Sequence, residues 1–183
     1  MYFLLTNRSD GSQVLARPFA EDPRGLGWLL CAYAVVFGAG IVAWSRVLAR
    51  IEPQRALRVS LLAMLGVSAG LLLLNHMSDQ PLRLRWMLTV VIAALIMVES
   101  GFTPAALSRL AGAVGPGVGR GTAMGIYSFL LSLGALAGSV LAGIAGRWLA
   151  IDGLTYVTLG LALLALALLP RLGSVRPVAS EAR

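Results

Sequence analysis

A chain of 183 residues that is 58% hydrophobic and 13% charged, with a mean hydropathy of +0.83, falls well short of the roughly 25% charged residues of a soluble domain, which excludes a water-soluble core. The formal net charge of +7 and the pI near 11.0 come from Arg residues spread along the chain, with no Lys at all. They form no single basic patch, so nucleic-acid recognition is not their explanation, and basic loops between membrane spans are.

Residues 1–26 are expected to be an external N-terminal segment. Met1 to Thr6 is too short for a secretory signal, no cation precedes it, and Asn7 to Gly25 is polar and contains Pro, so no cleavage is expected. A transmembrane domain over 27–170 follows, then a cytoplasmic tail over 171–183. Against the roughly 20 apolar residues a membrane helix needs, the domain reads as five spans: Gly27–Leu48, Leu57–Asn75, Trp86–Leu107, Ala123–Gly146 and Gly153–Leu169. The fold class is therefore all-α, a polytopic helical membrane protein.

The first span holds Tyr33, a candidate for a polar lining, and the single cysteine, Cys31, which has no partner for a disulfide or a metal cluster. Trp28, Trp44, Trp86 and Trp148 all fall at or just beyond span ends, where an indole buries its ring and keeps its N–H wet. The second span contains Gly66-Val-Ser-Ala-Gly70, which fits a serine-hydrolase elbow only as a string. That elbow needs a strand-to-helix turn, so small residues in a membrane helix are the better explanation. The run Leu71 to Leu74 makes this span look lipid-facing, as does the Leu/Ala-rich fifth span. His76 and Asp79 in the next loop are two lone polar residues rather than a metal site. No enzyme, cofactor or metal is expected.

The third span carries Glu99 within Met97-Val-Glu-Ser-Gly-Phe-Thr-Pro104, about two turns from its predicted cytoplasmic end. A central carboxylate costs roughly 2.5–3.5 kcal/mol on insertion scales, and somewhat less at this depth. Pro104 cannot donate to the carbonyl of Ser100, and Gly101 weakens the same turn, so a kink or local opening is expected beside Glu99. Two readings stand. In one, Glu99 couples protons or contacts substrate, with Ser100 and Thr103 as polar neighbours; in the other it pairs with a loop Arg such as Arg46 or Arg109, or snorkels.

Ala111 to Gly121 is Gly-rich but lacks Gly-Lys-Ser/Thr, so it is a flexible connection rather than a phosphate loop. The fourth span adds Tyr127, Ser128 and Ser132 to the polar candidates. Its small residues recur every four positions, at Gly134, Gly138, Ala142 and Gly146, a stripe that lets a neighbouring helix approach closely. With their Gly, Ser, Thr, Tyr, Pro and Glu content, the first, third and fourth spans are placed inside the bundle. If loops alternate sides, nine Arg lie on one side and six on the other, which puts the C-terminus in the cytoplasm and the N-terminus outside, in the cell (plasma or inner) membrane.

Arg120-Gly-Thr-Ala-Met-Gly-Ile-Tyr-Ser-Phe-Leu-Leu-Ser-Leu-Gly-Ala-Leu-Ala-Gly-Ser-Val-Leu-Ala-Gly143 resembles the eleventh helix of a major facilitator superfamily transporter. Glu99 to Leu107 resembles the end of the tenth, and Ser45 to Arg55 a degraded copy of the cytoplasmic motif between helices eight and nine, without its Gly and Asp. The resemblance implies that the spans are helices eight to twelve of a partial C-terminal half, with Tyr2 to Thr6 the last turn of helix seven. It implies that helices nine and twelve are peripheral and that eight, ten and eleven face the central route, with the N-terminus outside. Such transporters place substrate between two halves. The expectation is a C-terminal fragment of an ion-coupled secondary transporter of a small molecule, inactive without its N-terminal half. The alternative is a free-standing five-helix subunit whose Gly134/Gly138 face docks a partner. The lipid bilayer is a partner under both.

Overall fold

The computed structural model describes Leu15, residues 23–113 and residues 120–172. The turn of helix seven expected at Tyr2 to Thr6, most of the external segment and of the tail, and the middle of the Gly-rich loop lie outside the described residues. The described chain is helical: α1 (Pro23–Val47), α2 (Pro53–Asn75), α3 (Leu82–Glu99), α4 (Phe102–Ala113) and α5 (Arg120–Leu172). Pro53 at the first position of α2 loses no hydrogen bond, because a helix's first N–H groups have no partner within it. Pro81, in extended conformation, is the N-cap that precedes α3.

Among the described residues, four helical stretches are long and apolar enough to cross a membrane: Gly27–Val47, Pro53–Asn75, Leu82–Leu110 and Met124–Arg171. The first three coincide with expected spans. The fourth, of 48 residues, combines the expected fourth and fifth, which the sequence separates and the helix joins. Its continuity is interrupted at Ala150, whose φ of 51° and ψ of −127° are not helical. A Cβ added to Gly153 would collide with the Ala145 carbonyl, although eight residues of unbroken helix span about 12 Å. The chain therefore folds back on itself at Ala150.

Burial corrects the sequence reading. The span expected to face lipid, 57–75, is the most buried, with 39% of its apolar stretch covered against 6% for Gly27–Val47, which was placed inside. The physical reason is the helix face Ala56, Ser60, Ala63, Val67 and Gly70, small residues one turn apart that let neighbouring backbones close in. A Cβ added at Gly66 would lie 3.1 Å from Leu95, and one at Gly70 2.8 Å from Ile92, so the Gly-x-Ser-x-Gly string is a contact with α3. Ala56, Leu57, Leu61, Ala105 and Leu169 form the buried apolar cluster where α2, α4 and the end of α5 meet. The expected fifth span is mixed: Thr155, Ala162 and Leu169 are buried, whereas Leu161, Leu163, Leu164 and Leu168 are exposed.

The far end of α2 is tied to α5 by polar groups. Asn75, with no exposed surface, donates from Nδ2 to Asp152 Oδ1 at 2.8 Å, and its Oδ1 accepts the Leu15 N–H at 3.0 Å. His76 Nε2 lies 3.3 Å from the other carboxylate oxygen of Asp152. Replacing Asn75 with Leu leaves a buried carboxylate oxygen and a backbone N–H without this partner, at a cost of about 1–3 kcal/mol. A lowered SDS-unfolding midpoint is the expected result; an unchanged one would mean the cluster does not hold α2 to α5.

Candidate functional site

Pro104, near the start of α4, has no N–H for the Ser100 carbonyl, and helix α3 ends at Glu99 while α4 begins only at Phe102. The Ser100 N–H still reaches the Ile96 oxygen at 3.0 Å in the ordinary helical pattern, but the Gly101 N–H turns early to the Val98 oxygen at 3.3 Å. The Met97 carbonyl thus loses the Gly101 donor that a regular helix supplies. Two side chains take that place: Trp44 Nε1 donates to the Met97 oxygen at 3.1 Å, and Ser100 Oγ donates to it at 2.7 Å. The Val98 oxygen also accepts Ser60 Oγ at 3.1 Å. An opened backbone in a span is tolerated only when its polar groups are satisfied by protein or water, and here α1 and α2 supply the donors.

Two glycines permit this convergence. A Cβ on Gly40 would collide with Ser100 Oγ and lie 2.8 Å from the Met97 oxygen, so α1 crosses the opening at backbone contact. A Cβ on Gly101 would enter the ring of Trp44, which therefore lies flat over the break. Trp44 differs from the other three tryptophans. Trp28, Trp86 and Trp148 are 62% or more exposed, as an interfacial anchor is, whereas Trp44 is half-buried and gives its N–H to the protein.

Glu99 sits beside this junction, half-buried. Among the described residues no salt bridge joins it to Arg46 or Arg109. Tyr33 lies on α1, the helix that crosses this junction at Gly40. Its ring is stacked on Phe37, with centroids 5.6 Å apart and planes inclined by 25°. Tyr33, Phe37, Gly40 and Trp44 recur at spacings of three and four along one face of α1, and Gly40 and Trp44 on that face meet the α3–α4 junction.

Of the sequence candidates, the junction holds Glu99, Ser100, Gly101 and Pro104, with Thr103 half-buried on the next turn, while Tyr33 is an exposed residue of α1 stacked on Phe37. Ser100 is committed to the Met97 carbonyl. Tyr127, Ser128 and Ser132 lie apart on the first half of α5, where Ser132 Oγ donates to the Ser128 carbonyl of its own helix at 2.9 Å and Ser128 is exposed. The stripe Gly134, Gly138, Ala142 and Gly146 receives no neighbouring helix at Gly134 or Gly138, where an added Cβ meets nothing within 4 Å. Gly146 approaches only Leu154, across the Ala150 turn. The glycines that carry close contacts between helices are instead Gly40, Gly66, Gly70 and Gly101.

Sequence reasoning missed Gly40, Trp44 and Ser60. Ser60 had a signal, as a hydroxyl on the small-residue face of a Leu-rich span. No group of three or more His, Cys, Asp or Glu able to hold a metal ion occurs among the described residues.

A family model described as Major Facilitator Superfamily matches residues 11–183. No curated protein and no solved structure matches the chain.

Proposed function

The chain belongs to the major facilitator superfamily of transporters and is a multi-pass membrane protein, and from that premise we propose that it is the C-terminal portion, helices eight to twelve, of an ion-coupled secondary transporter of a small molecule. Glu99 is the carboxylate that couples ions or meets substrate. The observation that carries this reading is a half-buried acid without a salt bridge among the described residues, beside a backbone opening whose carbonyls are capped by α1 and α2. A structural acid is held by a counter-charge; a working one is left able to change partners.

Five crossings follow if α5 counts as two, since 48 residues of unbroken helix would extend about 72 Å, more than twice the roughly 30 Å hydrocarbon layer, and the helix is interrupted at Ala150. The nine-to-six Arg distribution supports an N-terminus outside and a C-terminus in the cytoplasm, in the cell membrane. Alternating access requires a second half facing this one, so the chain is inactive by itself. The exposed faces of α1 and of the first half of α5, including the open Gly134/Gly138 stripe, are the surfaces left for that half.

The route is tested without knowing the substrate. In a Cys31→Ser background, Glu99→Cys is expected to react with a charged, membrane-impermeant methanethiosulfonate reagent in sealed vesicles, whereas Phe129→Cys, at a strongly exposed apolar position, is not. An unreactive thiol at 99 in both vesicle orientations would remove Glu99 from any aqueous path.

A further inference from the structure

Four arginines gather where α1 passes into α2. Arg46 lies in the last turn of α1, Arg50 in the connection over residues 48–52, and Arg55 and Arg58 in the first turns of α2; all four are exposed. The single acid among them, Glu52, reaches Arg55 at 3.7 Å, in a pair that water screens because both side chains are 62% or more exposed. Among the described residues no salt bridge holds Arg46, Arg50 or Arg58. We propose that this end of the α1–α2 pair binds an anionic phospholipid, its headgroup phosphate held by the guanidinium groups and an acyl chain laid along an exposed strip of α2. The site is independent of whether Glu99 lies on a transport route.

The strip makes the occupant a lipid. Helix α2 is the most covered of the spans, yet Arg55, Arg58, Val59, Leu62, Ala69 and Leu73 share one face at helical spacing and are all exposed. The flanking positions Leu57, Leu61, Ala63 and Gly70 are buried, so a narrow apolar track leads from the guanidinium groups into the hydrocarbon layer. Arg58 lies five residues inside the span that begins at Pro53, about 7.5 Å along its axis, where an exposed guanidinium has to find a counter-charge or snorkel away. A phosphate at the bilayer surface supplies that charge, and the forked N–H groups of Arg match its oxygens. A free phosphate or an acidic peptide would meet the arginines and leave the track unused. A zwitterionic headgroup brings its own cation to the cluster, so net negative charge is the feature selected. The opposite face of the membrane is built differently. There Arg83 and Arg85 start α3, Arg147 stands apart on α5, and the acids Asp79 and Asp152 offset their charge.

The test is equilibrium binding of fluorescent dioleoyl phosphatidylglycerol and dioleoyl phosphatidylcholine to the full 183-residue chain in neutral detergent micelles. Phosphatidylglycerol is expected to bind about tenfold more tightly. That preference is expected to disappear in Arg50→Gln/Arg58→Gln and to survive in Arg50→Lys/Arg58→Lys, which keeps the charge. It is expected to be unchanged in Arg83→Gln/Arg147→Gln, which removes the same charge from the opposite face. Phosphatidylglycerol with a diazirine midway along one acyl chain is expected to label the peptide over residues 59–73 on irradiation. Equal binding of the two lipids to the native chain overturns the proposal, as does a preference lost equally in both Gln variants at native helicity, which reports net charge alone. Displacement of phosphatidylglycerol by millimolar inorganic phosphate at constant ionic strength assigns the arginines to a free anion, and labelling spread evenly over all the helices removes the acyl track; either result overturns it too.

Discussion

Replacing Gly40 by Val is expected to separate α1 from the α3–α4 junction and to lower stability by about 2–4 kcal/mol. Overpacking a close contact costs about 1–3 kcal/mol, and the hydrogen bond lost with it adds about 1 kcal/mol. The first added carbon already overlaps Ser100 Oγ and comes within 2.8 Å of the Met97 oxygen and 3.0 Å of its Cα. Two of those three atoms are backbone and cannot rotate away. Trp44 sits one turn further along α1, and its bond to Met97 exists only while the helices touch. The control is Gly38→Val, two residues away on the same helix, where an added Cβ meets nothing within 4 Å. A chain with Trp28, Trp86 and Trp148 changed to Phe leaves Trp44 as the sole indole reporter. Its emission is expected to shift to the red, with a lowered SDS-unfolding midpoint, in Gly40→Val and not in Gly38→Val. Equal behaviour of the two variants would show that α1 does not dock through Gly40.

The same contact shows where sequence reading stops. Apolar length places the first three spans within a few residues, because span length is fixed by the bilayer and every crossing has to satisfy it. The opening beside Glu99 is equally local: Pro104 and Gly101 act on the backbone of their own turn, and the structure ends α3 there. What surrounds that opening is not local. Which side chain takes the freed Met97 carbonyl depends on α1 crossing at Gly40. Trp44, more than fifty residues upstream, reads in the sequence as an interfacial anchor like the other three tryptophans.

Burial misleads for a related reason. In lipid, Leu is as comfortable outside as inside, so the Leu71–Leu74 run carries no information about which helix is central. The small residues Ala56, Ser60, Ala63 and Gly70 do, because only they admit a neighbouring backbone. Such a stripe is nonetheless a permission rather than an instruction. The one at Gly134 and Gly138 has the same spacing and meets nothing in this chain, while Gly66 and Gly70 meet Leu95 and Ile92. The difference is that α2 has a helix on each side, joined to it by a short loop or by the Asn75–Asp152 contact.

Gly153→Val is expected to have the second large effect, because Gly153 packs into the turn at Ala150. Its added Cβ would overlap the carbonyl of Ala145 and lie 3.0 Å from the Gly146 nitrogen, atoms of the preceding helix that no rotamer change moves. Relief requires the two halves of α5 to part, which pulls the adjacent Asp152 from Asn75 and exposes the end of α2. The expected cost is about 3 kcal/mol or more, the upper end for a forced overpacking. Gly160→Val, on the same helix with nothing within 4 Å of its Cβ, is expected to be close to neutral. Topology reads the outcome directly. In a Cys31→Ser background, thiols placed at Gly121 and Arg171, both exposed, should react from the same side of the membrane if α5 turns back, and from opposite sides if it is one long helix. In the Gly153→Val chain the thiol at 171 should lose its fixed sidedness while the one at 121 keeps it. Unchanged sidedness at 171 in that variant, with the two native positions on opposite faces, would show that Ala150 does not turn the chain and that the domain crosses four times.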